Sequence, residues 1–176
     1  MSWYEALDQW TADYLPDITY EHGAPLSRLT SFRIGGPARR MAFPKDGSQM
    51  VLLIEAARSC EARPLVIGNG TNLLFPDEGV DRLVVNTRDM SGVTLDAEGR
   101  VAAETGASLS RVAVFAQQHG LAGLEFAHGI PGSVGGAVCM NAGAYGGEMR
   151  QVVREATVLF PEEGIRTLTG EELAFS

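Results

Sequence analysis

Nine glycines fall within the thirty residues from Gly120 to Met149, GLAGLEFAHGIPGSVGGAVCMNAGAYGGEM, and Glu125 is the one charged side chain there before Glu148. Glycine raises the entropy of the unfolded chain and packs no side chain, so this density argues against a regular helix or strand. It also lets backbone N–H groups come closer to a ligand than any Cβ would allow. Two readings stand side by side. The stretch is either backbone laid against something flat or anionic, or a set of tight turns linking short buried strands.

Composition narrows what surrounds it. A chain of 176 residues, 45% hydrophobic and 20% charged, has the makings of one ordinary globular domain or two small ones. Its net charge of −8 provides no broad cationic surface, so no nucleic-acid partner is expected. Lys45 is the single lysine beside thirteen arginines. Cys60 and Cys139 lie far apart with no C-x-x-C, and His22, His119 and His128 are scattered singly. That pattern argues against a metal site and for buried, reduced thiols. The acidic start, MSWYEALDQWTADYLPD, is unlike a signal peptide, and no run reaches the roughly 20 apolar residues of a membrane span. The expected location is cytoplasmic, with no membrane partner.

In chain order, Trp3, Leu7, Trp10 and Tyr14 predict a helix over 3–15, stopped by Pro16. Phe32, Ile34 and Gly35-Gly36-Pro37 predict a short strand followed by a close backbone approach. Arg33, Arg39 and Arg40 either meet an anion or face solvent. Asp46 and Gln49 form a capping-box pattern ahead of a helix at about 47–60, with Met50, Leu53, Ile54 and Ala57 inward. The strand PLVIG, 64–68, then enters GNGTNLLF. This loop begins like a dinucleotide fingerprint, but Leu73 stands where the third glycine should be and no helix follows. A Rossmann site is therefore excluded, and so is a P-loop, which would need a lysine. What remains is a strand ending in Gly-Asn-Gly-Thr-Asn, able to form an anion-binding nest of N–H groups.

Further on, LVVNT (83–87) reads as a strand, and GVTLDAEGRVAAETG as a hairpin turning at 96–99. Ser108 opens a helix with Leu109, Val112, Ala113 and Ala116 inward, and Gly120 closes it as a left-handed cap. A second hairpin pairs 152–160 with 165–168, and Thr169 with Glu172 caps a further helical turn. The acidic pairs Glu162-Glu163 and Glu171-Glu172 sit in solvated or dipole-favoured places, not as a catalytic pair. The fold class is α+β. Residues 1–19 form an N-terminal helix, 20–86 one lobe and 87–176 a second, with the ligand expected where the two glycine loops meet.

Four segments in colinear order, SFRIGGPA (31–38), VIGNGTNLLF (66–75), LAGLEFAHGIPGSVGGAV (121–138) and MNAGAYGGEM (140–149), closely resemble the UDP-N-acetylenolpyruvoylglucosamine reductase family, the UDP-N-acetylmuramate dehydrogenases. The resemblance runs from about residue 25 to the last residue. It implies a two-lobed FAD-binding domain of the p-cresol methylhydroxylase/vanillyl-alcohol oxidase type. It further implies that Gly68, Asn69, Gly70, Thr71, Asn72 and Leu73 wrap the FAD pyrophosphate. Ile130, Pro131, Gly132, Ser133, Val134, Gly135 and Gly136 would run along the cofactor. Asn141, Gly143, Ala144 and Tyr145 would line the flavin and substrate side.

The activity implied is a step of peptidoglycan precursor synthesis. NADPH supplies a hydride through noncovalent FAD to the enolpyruvyl double bond of a UDP-sugar. The resemblance places the catalytic Arg of a Tyr-Arg-x-Ser motif, the Ser proton donor and an assisting Glu beyond Ser176. No catalytic residue is therefore expected in this chain, which reads as the FAD-binding portion. Two other readings are a flavin-binding or partner-interaction module without reductase activity, and an oxidase of the same fold with FAD tethered through His128 or Cys139.

Overall fold

The computed structural model describes all residues, Met1–Ser176, and the chain divides into two compact units, Met1–Met90 and Ser91–Ser176. Helices and sheets are mixed in an α+β arrangement. No helix is long and apolar enough to cross a membrane.

The first unit opens with helix α1, Trp3–Tyr14, whose N-cap Ser2 and Glu5 close a reciprocal capping box. Its buried stripe is Leu7 and Thr11; of the four expected positions Leu7 is fully buried, Trp3 and Trp10 are half-buried, and Tyr14 is exposed. The helix lies on the body along a narrow seam. Trp10 and Tyr14 instead pack on each other, ring centres 5.0 Å apart.

Strands β1 (Thr19–Pro25), β2 (Pro37–Phe43), β3 (Leu65–Ile67) and β4 (Val80–Asn86) form one sheet in the order β1-β2-β4-β3. β1 is antiparallel to β2, while β2 and β3 both run parallel to β4. Leu83–Val85 is buried throughout, as expected of a central strand in a parallel sheet covered on both faces. Helix α2, Gly47–Ser59, makes the crossover from β2 to β3 and buries Leu53, Ile54, Ala56 and Ala57, leaving Met50 half-buried. Asp46 caps it, but Gln49 bonds the N–H of Lys45 rather than that of Asp46. Leu26, Met41, Phe43, Ile67, Phe75 and Val84 are the core beneath.

The strand expected at 32–34 is absent. Phe32 and Ile34 are exposed in a loop closed by a 3.0 Å hydrogen bond from the Thr30 hydroxyl to the Ile34 carbonyl. The strand begins instead at Pro37, where the missing N–H costs least, and its partner β1 carried too little alternation to be seen. The expected close backbone approach does occur: a Cβ on Gly36 would lie 2.1 Å from the Asp77 carbonyl oxygen.

Arg40 ties α1 to this sheet. Its Nε and Nη2 each donate to Asp8 at 2.6 Å, and the Tyr20 hydroxyl donates to the same carboxylate at 3.0 Å. Burial alone would raise the Asp8 pKa, but these donors outweigh it and hold the carboxyl below its usual range. Asp8 binds its proton more weakly folded than unfolded. Its stabilisation is therefore complete above the ordinary value of 3.8 and lost as pH falls through the lower folded value. Asp8→Ala strands the mostly buried Arg40 guanidinium and should cost about 2 kcal/mol near neutral pH, read by urea unfolding. The gap to wild type should close as pH falls through the lowered folded value of Asp8.

The second unit begins with the hairpin β5 (Val93–Leu95) and β6 (Val101–Ala103), its turn held by Asp96, which accepts from the N–H groups of Glu98 and Arg100. Helix α3, Leu109–Gln118, buries Leu109, Val112, Ala113 and Ala116, and Gly120 follows at φ +69°. The short hairpin β7 (Gly143–Ala144) and β8 (Gly147–Glu148) is followed by the hairpin β9 (Glu155–Phe160) and β10 (Gly164–Thr169), which closes the unit. The Thr169–Glu172 capping box forms and opens a single turn.

The glycine-rich stretch holds a helix where none was expected. Residues Val134–Cys139 form α4, N-capped by Ser133. Its first N–H groups dock on the chain itself: Val134 donates to the Ala107 carbonyl and Gly135 to that of Thr105, both at 2.8 Å. Gly135 has a steric reason to be glycine, since a Cβ there would lie 1.9 Å from Thr105 Oγ1. Fixed backbone partners and close approach offset glycine's roughly 1 kcal/mol helix penalty. Leu109, Phe126, Ala127, Ala137 and Met149 form the core around it.

Candidate functional site

In the first unit, residues 68–73 leave the C-terminal end of β3, the end of a parallel sheet at which ligands ordinarily sit. The turn is held from below by two side chains that the sequence reading took only as the end of a strand. Buried Asn86 donates to the Gly68 carbonyl at 3.4 Å, and the buried Thr87 hydroxyl donates to that of Ile67 at 3.3 Å. A paired Asn-Thr closing a buried parallel strand was the available signal. Gly70 is buried at φ +64°, and a Cβ there would meet the Leu29 carbonyl oxygen at 1.9 Å. This glycine serves internal packing. Gly68, Thr71 and Leu73 are half-buried, while Asn69 and Asn72 stand exposed at the surface of the turn.

Arg39 and Arg40 are taken up within the unit, Arg39 by Asp81 at 2.8 Å and Arg40 by Asp8. Arg33 is exposed at φ +55°.

In the second unit, residues 130–136 run from a loop into the first turn of α4. Their main-chain donors are largely spent inside the chain, because Ile130 donates to Ala127, Val134 to Ala107 and Gly135 to Thr105. Gly136 donates to Ser133 Oγ at 3.4 Å, and the Gly132 carbonyl accepts from Leu109. Ser133 is buried, Pro131 exposed, and Ile130, Gly132 and Val134 half-buried. With these donors turned inward, the outward side of the run is chiefly bare surface. Gly136 is the clearest case. It is exposed and helical, and the nearest atom to a Cβ there would be Ser133 Oγ at 3.4 Å. Nothing in the chain requires it to be glycine.

Strands β7 (Gly143–Ala144) and β8 (Gly147–Glu148) form a minimal hairpin whose tip carries Tyr145 at φ +54° and Gly146 at φ +83°. Tyr145 is 97% exposed. Beside it lies an open cavity of about 480 Å³, reaching Glu125, Phe126, Gly147 and Gln151. Asn141 stands apart from this tip, its side chain occupied by Glu148 and Arg150. His128 is exposed; both cysteines are free thiols but neither is buried as expected, Cys139 being exposed on the short helix and Cys60 half-buried, where desolvation raises its pKa.

Residues 38–169 match the family model described as an FAD binding domain. The UDP-N-acetylenolpyruvoylglucosamine reductase of Limosilactobacillus reuteri is 44% identical over 91% of this chain and 53% of its own length. The reductase of Agathobacter rectalis is 43% identical over 93% and 56%. The chain thus spans about half the length of the curated relatives it matches.

Among solved structures, the reductase from Thermus caldophilus aligns with a TM-score of 0.72 at 33% identity, over 90% of this chain and 55% of that one. Glucooligosaccharide oxidase from Acremonium strictum, whose FAD is described as 6-S-cysteinyl and 8α-N1-histidyl, aligns at 0.70 over 95% and 37%. At 16% identity this second likeness concerns the fold alone, which is the p-cresol methylhydroxylase/vanillyl-alcohol oxidase type. Together with the matched residues, these findings establish that the chain belongs to the FAD binding domain family.

Proposed function

We propose that this chain binds FAD noncovalently and is the flavin-binding part of a UDP-N-acetylenolpyruvoylglucosamine reductase. In this reading Gly68–Leu73 holds the pyrophosphate, Ile130–Gly136 lies along the cofactor, and Gly143, Ala144 and Tyr145 line the flavin and substrate side. The observation that carries it is Gly136. A glycine in an exposed helical turn costs about 1 kcal/mol relative to alanine, and here a Cβ would meet only Ser133 Oγ at 3.4 Å, so the room it leaves suits a ligand surface.

The residues present fit the group. Residues 66–76 carry no carboxylate to repel a diphosphate, and Asn69 and Asn72 offer amide donors. When bound, the flavin supplies hydride transfer between NADPH and the enolpyruvyl double bond of a UDP-sugar. The chain's own part is to bind and orient. Asn86 and Thr87 fix the turn that meets the diphosphate, α4 offers its uncovered glycine face, and the 143–147 hairpin carries an aromatic ring. Free cysteines accord with a reducing cytoplasm, where peptidoglycan precursors are assembled.

The test uses the 176-residue chain. Mixed with FAD and passed through gel filtration, it should carry flavin absorbance at one equivalent. After denaturation its mass should be that of the bare polypeptide, which separates this reading from an oxidase tethered at His128 or Cys139. No NADPH oxidation is expected with the UDP-enolpyruvyl sugar. Sustained turnover by these residues alone would contradict the assignment of the chain as the flavin-binding part.

A further inference from the structure

We propose that Asn141 is a positioning residue: it pins the turn that carries Tyr145 and acts on ligand binding through that turn, without touching the ligand. The consequence for binding rests on the flavin reading above, whereas the pinning rests on geometry alone.

Asn141 sits at φ +43°, a conformation asparagine tolerates better than most residues. Its Nδ2 donates to Glu148 Oε2 at 2.9 Å and to the Ser176 carbonyl at 3.4 Å, and its Oδ1 accepts the Arg150 N–H at 3.0 Å. Glu148 is held in turn. Its Oε1 accepts from Arg150 Nε, and its N–H donates to Gln151 Oε1 at 3.0 Å. Both amide hydrogens of Asn141 and one acceptor position are therefore committed inside the chain.

These bonds bracket a hairpin too short to hold itself. Gly143 pairs with Glu148 and Ala144 with Gly147, two residues a strand, and so small a ladder is not stable alone. Its base is fixed by contact, since a Cβ on Gly147 would lie 2.6 Å from the Phe126 ring and one on Gly143 2.7 Å from the Gly147 carbonyl oxygen. A two-residue turn with positive φ at both positions favours Asn-Gly. Here the first place is tyrosine, which bears the left-handed cost and buries nothing, being 97% exposed. A strained and solvent-facing ring needs its backbone held from elsewhere. The Asn141–Glu148–Arg150 cluster is what holds it.

The test inverts the hydrogen bond. Asn141→Asp sets two carboxylates face to face. Combining Asn141→Asp with Glu148→Gln gives the new carboxylate at position 141 a donor again and leaves an acceptor for Arg150. Hydrogen exchange of the Tyr145, Gly146 and Gly147 amides, FAD affinity and the melting transition are measured on each. N141D should speed exchange and weaken FAD binding by about tenfold each, with melting close to wild type. The double variant should return both readings to within about twofold of wild type. Unchanged exchange in N141D would overturn the proposal. So would a double variant with restored exchange but FAD affinity still lost, since Asn141 would then be touching the ligand directly. Should wild type take up no FAD, the flavin reading falls and the exchange measurements alone decide the pinning.

Discussion

Gly136→Ala should make the chain more stable and worse at binding FAD. Alanine is favoured over glycine in a helix by about 1 kcal/mol, and a Cβ at 136 meets only Ser133 Oγ at 3.4 Å. The melting temperature should therefore rise slightly. With the flavin lying against this turn as proposed, a methyl group has no such room, and FAD affinity should fall by about a hundredfold, roughly 2.7 kcal/mol. Gly135→Ala, one residue earlier, should behave in the opposite sense. Its Cβ strikes Thr105 Oγ1 at 1.9 Å, so the chain should lose about 2–3 kcal/mol of stability before any ligand is added. Replacing Thr105 by Ala in the same chain should recover part of that loss. Thermal melts and flavin titrations on the three variants separate a glycine kept for the ligand from one kept for the fold.

The second large effect belongs to the 68–73 turn. Gly70→Ala forces a side chain into a left-handed residue whose Cβ would lie 1.9 Å from the Leu29 carbonyl oxygen, a backbone atom with little freedom to yield. About 3 kcal/mol or more of destabilisation should follow in urea unfolding. Asn72→Ala removes an exposed side chain two residues away and should change stability by less than about 0.5 kcal/mol. Under the proposed flavin reading, in which Asn72 donates to the diphosphate, its FAD dissociation constant should nevertheless rise about tenfold. Equal effects of both substitutions on stability would mean that the turn has only a structural role.

These contrasts also mark what could be read from the residues alone. Helix α3 was legible down to its four buried positions, since Leu109, Val112, Ala113 and Ala116 repeat at helical spacing between a serine cap and a terminal glycine. The Asp96 turn was legible for a similar reason, its side chain closing the loop locally. Elements set by distant contacts were not. Helix α4 depends on the carbonyls of Thr105 and Ala107, some thirty residues earlier, and nothing in VGGAVC announces them. β1 is defined by its register against β2 rather than by its own pattern. Phe32 and Ile34 alternate like a strand yet face solvent.

The glycines show the same limit at the candidate site. Gly70, Gly135, Gly143 and Gly147 each make room for a neighbouring part of the chain, while Gly136 does not, and one-letter code cannot tell them apart. Asn141 likewise read as a ligand contact because it stands in a motif. Its partners Glu148 and Arg150 become visible only once the hairpin closes.

The most direct measurement is a titration of the isotope-labelled 176-residue chain with FAD, followed through its backbone amide resonances. At one equivalent, the amides of 68–73 and those of 130–136 should shift together along a single binding curve. Shifts confined to one of these segments, or none at saturating FAD, would contradict the claim that both hold one cofactor.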